Sequence, residues 1–396
     1  MSGLAVDSPA VDFDLSADQI ALRDAAAQLL GRHASPERVR ARVGDGVVVG
    51  TLPGAGAGER HDPAADAPAG YDAGLWSAMA EQGWLAVERP ESEGGLGLGM
   101  VEVAVLCEQL GRHCAPAPFL STVLALDAVA SAPAAGAVGP PAAWAEGLSR
   151  GELVGCVAWS ARPGAVAVSE RGGVPHLRGR PEPVLYGPSA DVAVVAAGDS
   201  VYGLALGDGK RPEPEPAMDR TREVGWLELD DTPAVLLGGP AAAARLLDRA
   251  ATGASAELLG GAARVLEMSV DYAKDRVQFG KPIGSFQAVK HRLADALVDV
   301  EGMRSTAYYA AWCTASGDDP DLAASMAKAW CSDAGRRVLA AGLQVHGGIG
   351  FTWEHDLHLF LKRSQLDQVS YGDAAYHRDR IAGLLRRRMA EGRGIL

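Results

Sequence analysis

The 396-residue chain lacks paired cysteines, an excess of basic charge and any long unbroken apolar run. Its five cysteines, Cys107, Cys114, Cys156, Cys313 and Cys331, are scattered with no Cys-x-x-Cys spacing. That pattern suits reduced, partly buried thiols better than a disulfide framework. Lys and Arg number 37 against 50 Asp and Glu, a net charge of −13. This argues against nonspecific nucleic-acid binding and gives no reason to expect an acidic membrane surface as partner. Small anionic ligands remain open, because local arginines and backbone donors hold those. The start of the chain has no basic stretch leading into an apolar one, so no signal peptide is read. The Ala-rich run over 119–145 is broken by Asp127 and several prolines and does not read as a membrane span. A cytoplasmic protein is expected.

At this length two or three domains with a substantial shared core are expected, and 48% hydrophobic with 22% charged residues is an ordinary soluble profile. Residues 1–150 read as an α-helical domain. Ser16-Ala17-Asp18-Gln19 is a capping signal ahead of Ile20, Leu22, Ala25 and Leu29. The Gly-, Ala- and Pro-rich stretch over 44–70 reads as a long surface loop. Gly94, Gly95, Gly97 and Gly99 have no preceding strand and read as a tight loop between helices, not a phosphate cradle. A helix over 101–111 follows. Residues 151–240 read as a middle β-domain, with strands in 154–159, 166–168, 191–197, 201–206, 224–229 and 234–237. Residues 241–396 read as helical again, with Asp319 and Pro320 opening one helix and Arg386, Arg387 and Arg388 closing the last.

The most informative stretch is 276–291. Before it, Leu247, Ala250, Ala254, Leu258, Ala262, Val265 and Ala273 recur at helical steps. After it, Ser285 reads as an N-cap, and Val289, Leu293, Leu297 and Val300 start a new apolar stripe. Between them Gly280, Pro282 and Gly284 break the helix and gather a guanidinium, an amide and an aromatic at one corner. Arg276 with nearby backbone N–H groups is suited to a pyrophosphate. The plainer alternative is an arginine closing a helix end.

Arg276-Val277-Gln278-Phe279-Gly280-Lys281-Pro282-Ile283, followed by Phe286-Gln287-Ala288-Val289-Lys290, resembles a signature of the acyl-CoA dehydrogenase family. A second signature stands at the expected distance: Gln344-Val345-His346-Gly347-Gly348-Ile349-Gly350-Phe351, then a helical segment reaching Lys362-Arg363. The resemblance covers nearly the whole chain. It implies an α+β fold with an N-terminal helical domain, a middle β-barrel or sandwich and a C-terminal four-helix bundle. It also implies FAD as cofactor, an acyl-CoA substrate and an electron-transfer-flavoprotein-like acceptor. In the family both signature runs touch the adenosine diphosphate half of FAD, mainly on the flavin held by a neighbouring subunit. The cofactor-binding residues so implied are Arg276, Gln278, Phe279, Gln344, Gly347 and Gly348.

The family's catalytic groups do not carry over. Ungapped counting from Gln344 places Tyr371 where the common glutamate base would stand. A tyrosine, with an ordinary pKa near 10, is a poor base for an α-proton. The alternative base position, on the helix before Arg276, is Ala250. Glu257 lies seven residues further along that helix, roughly 10 Å on, and reads as a satisfied buried acid. Asp373 is a second fallback with a shorter reach. Around 158–164 the acidic residue of the family's flavin-contacting strand end is missing, and further on Pro183 and Leu185 stand where relatives carry a tryptophan and a threonine. Glu354, His355, Asp356 and His358 superficially suggest metal ligands, but a polar helical face is the better reading.

What survives acts on a neighbour's flavin, and what is lost would act on the chain's own. The chain therefore resembles the non-catalytic subunit of actinobacterial heterotetrameric acyl-CoA dehydrogenases, several of which act on steroid side-chain CoA esters. A catalytic acyl-CoA dehydrogenase subunit is the implied partner, and no catalytic residue is assigned to this chain. The alternatives are an active homotetramer with a non-standard base, or a scaffold that binds neither FAD nor CoA.

Overall fold

The computed structural model describes residues 14–44, 70–132, 140–207 and 209–392. The loop expected over 44–70 falls almost wholly outside them. Helix α1 (Ala17–His33) opens on the capping box expected: Ser16 Oγ accepts from Gln19 N, and Gln19 Oε1 accepts from Ser16 N. Short helices α2 (Pro36–Val43) and α3 (Ala73–Glu81) have simple side-chain caps, Ser35 accepting from Arg38 N and Asp72 from Leu75 N. Helix α4 (Met100–Arg112) is buried along most of its length, and α5 (Phe119–Ala130) and α6 (Pro140–Arg150) complete the N-terminal part.

Nine strands follow among the described residues: β1 (Gly155–Ala158), β2 (Val166–Arg171), β3 (Val174–Gly179), β4 (Val184–Leu185), β5 (Val192–Ala197), β6 (Ser200–Ala205), β7 (Val224–Gly225), β8 (Leu229–Pro233) and β9 (Val235–Gly238). Their hydrogen bonds make a four-stranded sheet β1-β5-β6-β9, a three-stranded sheet β2-β3-β8 and the pair β4-β7. β1 runs parallel to β5 with Cys156 opposite Ala193, and β6 antiparallel with Gly203 opposite Val194. β1 is fully buried and β5 nearly so, as befits a continuous apolar run. The strand expected over 224–229 divides: only Val224–Gly225 pairs with β4, and Leu229 begins β8. Strands β3 and β8 carry too many polar residues and prolines for the β-branched pattern to mark them.

Helix α7 (Pro240–Asp275) begins the C-terminal part. A two-residue hairpin joins β10 (Val277–Gln278) to β11 (Lys281–Pro282). Then come α8 (Gln287–Ser316), α9 (Pro320–His346), α10 (Leu357–Val369) and α11 (Ala374–Ala390). Ser285 is not the N-cap expected of it: it lies in a 3-10 turn, Phe286 takes the cap position, and no side chain caps α8. Gly284 explains this, since a Cβ there would stand 2.9 Å from Ala273 O, and the chain is pressed flat against α7 before α8 can begin.

Helices α4 and α7 cross in backbone contact. A Cβ on Gly111 would lie 2.0 Å from Glu257 O, and one on Gly260 would lie 1.9 Å from Glu108 O. Only glycine admits that approach, and it seats Glu257 at the junction of the N-terminal helices with the bundle. Among the described residues no helix is long and apolar enough to cross a membrane, and no group of His, Cys, Asp and Glu is arranged to hold a metal ion. All five cysteines are free and buried.

Candidate functional site

The two signature runs emerge side by side. Arg276 is the C-cap of α7 and Gly347 the C-cap of α9. Arg276, Gln278, Phe279, Gln344 and Gly348 are exposed, and Gly347 is half-buried. Phe279 and Gly280 form the hairpin loop with φ of 54° and 77°, the left-handed values a two-residue turn requires. Phe279 is 91% exposed in this strained geometry. Its ring meets Phe286 edge-on at 6.1 Å, and Lys281 Nζ lies 4.5 Å over Phe286. Arg276 at a helix C-terminus satisfies the dipole, yet its exposure leaves the guanidinium open to an anion.

Of the positions that would have to act within this chain, Leu185, Glu257 and Tyr371 lie elsewhere, around a cavity of about 20 Å³. Leu120, Ser121, Leu185, Tyr186, Arg222, Glu257 and Tyr371 are among its lining residues. Ala250 is buried on the same helix as Glu257, and Pro183 is exposed. What fills the space is ionic. Arg222 donates one Nη to Glu257 and the other to Asp367. Arg363 Nη1 donates to Glu257 Oε1 at 2.8 Å and Nε to Asp219 Oδ2 at 3.0 Å. Arg363 Nη2 adds bonds to the carbonyls of Cys114 and Ala115, both at 3.3 Å. Thr221 supplies further acceptors, its own N–H donating to Asp219 Oδ1 at 2.9 Å.

All five charged side chains are buried. Two guanidinium groups face three carboxylates, so one negative charge is in excess. Burial, together with the Glu257 charge and against the pull of Arg222, pushes the Asp367 carboxyl up to about 7. Tyr186 and Tyr371 both sit at positive φ, 56° and 57°. Burial pushes the Tyr186 hydroxyl up to about 12 and the Tyr371 hydroxyl higher still. Tyr186 Oη and Arg222 Nε have no partner among the described residues. The space left in this cavity therefore suits one water molecule and is too small for an acyl chain or a flavin ring.

The turn carrying Tyr371 is held from behind. Lys328, fully buried in α9, donates to Gln368 O at 2.9 Å, Gly372 O at 2.8 Å and Ser332 Oγ at 3.1 Å. Burial lowers its ammonium to about 8. His377 Nε2 donates to Tyr371 O at 3.0 Å, and burial lowers that imidazole to about 3. Asp373 caps α11 by accepting from Tyr376 N at 2.8 Å.

Sequence reasoning named Glu257 but missed Arg222, Asp219, Asp367 and Lys328. The available signals were a lysine inside the Ala-rich stripe of α9 and the Arg363–Asp367 spacing of one helical turn on α10.

Two family models match the chain: "Acyl-CoA dehydrogenase, C-terminal domain" over residues 238–385 and "Acyl-CoA dehydrogenase, N-terminal domain" over residues 58–134. Acyl-CoA dehydrogenase IpdE2 of Mycolicibacterium smegmatis is 34% identical over 351 residues, covering 88% of this chain and 93% of its own length. Its namesake in Mycobacterium tuberculosis is 35% identical over 344 residues, covering 87% and 89%. Among solved structures, the ChsE4–ChsE5 complex of Mycobacterium tuberculosis matches with a TM-score of 0.81 and 29% identity, over 96% of this chain and 99% of the matched one. A variant of the Tcur3481–Tcur3483 steroid ACAD matches with a TM-score of 0.81 and 28% identity, over 94% and 99%. The chain belongs to the acyl-CoA dehydrogenase family, whose cofactor is FAD.

Proposed function

We propose that this chain is the non-catalytic subunit of a heterotetrameric, FAD-dependent acyl-CoA dehydrogenase and completes the FAD site of a catalytic partner chain. The observation that carries this reading is the ionic filling of its own pocket. Glu257, the carboxylate seven residues beyond the vacated position 250 on the same helix, is committed to Arg222 and Arg363. Position 371 offers a buried tyrosine whose hydroxyl burial keeps protonated. The exposed corner is intact by contrast, and its groups suit the dinucleotide end of a cofactor seated in another chain.

On this reading Arg276 holds the pyrophosphate bidentately, Gln344 with Gly347 and Gly348 contacts the adenosine diphosphate end, and Gln278 and Phe279 pack beside it. Bound FAD supplies hydride acceptance for the α,β-dehydrogenation of an acyl-CoA thioester. An electron-transfer-flavoprotein-like acceptor would reoxidise it. A steroid side-chain CoA ester is the favoured substrate class, because a solved steroid ACAD is among the close structural likenesses. The ChsE4–ChsE5 likeness favours a complex of two different chains.

The visible absorption spectrum tests this directly. The chain purified alone should be colourless, and its complex with a catalytic acyl-CoA dehydrogenase chain should be yellow and bleached by an acyl-CoA. A yellow lone chain bleached by an acyl-CoA would instead establish an active enzyme with an unassigned base.

A further inference from the structure

The C-terminal ends of α7 and α9 are joined by a pair of aromatic rings that neither signature run includes as a cofactor contact. The two helices run side by side in the same direction. At Gly342 side chains of α7 pack directly on the α9 backbone: a Cβ there would meet Val265 Cγ1 at 2.5 Å and Ser269 Oγ at 3.0 Å. One turn further along, the rings of Tyr272 and His346 stack with centroids 4.6 Å apart and planes 25° from parallel. His346 Nδ1 faces Gly342 O at 2.8 Å and must be the donor, since a carbonyl cannot donate. The His355 ring lies against the same imidazole at 4.6 Å. His346 is thereby fixed from three sides and buried, while Tyr272 is half-buried.

Tyr272 is bonded to the first signature run, and His346 lies within the second. Arg276 N donates to Tyr272 O at 2.9 Å, so the arginine sits one helical turn beyond the tyrosine. Gly347 follows His346 directly, with φ 63° and ψ −141°, a conformation that glycine adopts far more readily than other residues. Both runs therefore start at helix C-termini, where the carbonyls carry partial negative charge. An anionic ligand drawn to one guanidinium between two such ends tolerates little error in placement, on the order of half an ångström for a positioned group.

We propose that Tyr272 and His346 are a positioning pair that sets the spacing between Arg276 and the Gln344–Gly348 turn, so that both runs bear on one dinucleotide. This rests on the reading that these runs bind FAD held by a partner chain.

The test uses the two-chain complex and measures the FAD dissociation constant by flavin fluorescence. Tyr272→Ala and His346→Ala should each weaken FAD binding about two- to tenfold, the range for one aromatic pair. Tyr272→Phe and His346→Phe keep two stacked rings and should stay close to wild type. The double alanine variant should be no weaker than the weaker single one, because the pair acts as a unit. His346→Leu, which keeps bulk without a ring, serves where alanine prevents assembly, and should weaken binding as alanine does. Phenylalanine variants as weak as alanine ones would overturn the pair as a stacking device. Unchanged affinity in the alanine variants, alongside flavin loss in Arg276→Ala, would overturn it while leaving the functional reading intact. Unchanged affinity in Arg276→Ala would overturn that reading and the pair with it.

Discussion

Glu257 accepts a hydrogen bond from Arg363 at 2.8 Å, across a distance of 106 residues in the chain. The same carboxylate oxygen accepts from Arg222, so this buried acid serves as a structural anion. Replacing it by glutamine leaves two buried guanidinium groups facing fewer charges. Glu257→Gln is expected to destabilise the chain by about 3 kcal/mol, as breaking a buried pair does. Turnover per folded complex should be unchanged. Thermal melting combined with flavin-normalised activity checks both, and a folded, flavin-bound complex without turnover would point back to Glu257 as base.

The carboxylate excess gives a pH signature. Asp367 is held at about 7, above its unfolded value near 4. The folded state thus binds this proton more tightly. Its stabilising contribution is complete below about pH 4 and is lost as pH rises through about 7. Asp367→Asn removes that group, so the stability of wild type relative to the variant should decline between pH 4 and 7. Denaturant midpoints across that range measure it, and parallel curves would refute the assignment.

Arg276 is exposed and stands outside the core. Arg276→Ala should change the stability of the isolated chain by less than about 0.5 kcal/mol, yet strip FAD from the complex. Tyr371→Phe should leave both flavin content and turnover near wild type. Flavin retained in the first variant, or turnover lost in the second, would contradict the assignment of roles.

Lys328 has no carboxylate among its hydrogen-bond partners and instead serves Gln368 O, Gly372 O and Ser332 Oγ. Lys328→Met should orphan Gly372 O, leave Gln368 O with Ser332 Oγ at 3.4 Å, and destabilise by about 1–3 kcal/mol for the unsatisfied group. Faster amide exchange at Tyr371 and Gly372 than in the rest of the bundle would locate the damage. With the ammonium lowered to about 8 from an unfolded value near 10.4, this group's contribution to stability is present above about pH 10 and lost as pH falls through about 8. The variant should lack that slope.

Much of the fold could be read locally. The capping box at Ser16, the buried stripe of α7 and the apolar strand β5 each carry their signal within a few residues. The hairpin at 277–282 did not, because Phe279 occupies a left-handed position where glycine or asparagine would have marked the turn. Ser285 misled, since a good capping residue is overruled where Gly284 packs on α7. At the site, the residues of both signature runs were legible as motifs, and the vacated positions 250 and 371 as substitutions. The ionic filling was not, because Arg222, Glu257 and Asp367 share no period and are brought together by tertiary packing alone.

The arginine cluster also constrains the order of events during synthesis. Arg222 must wait for Asp367, 145 residues later, and Asp219 waits for Arg363, 144 residues later. Contacts of such sequence separation slow folding. A nascent chain that has not yet produced α10 holds Arg222 and Glu257 without Arg363 or Asp367, at the junction of the sheets with α4 and α7. That junction can therefore acquire its full set of ion pairs only once α10 has been made and packed.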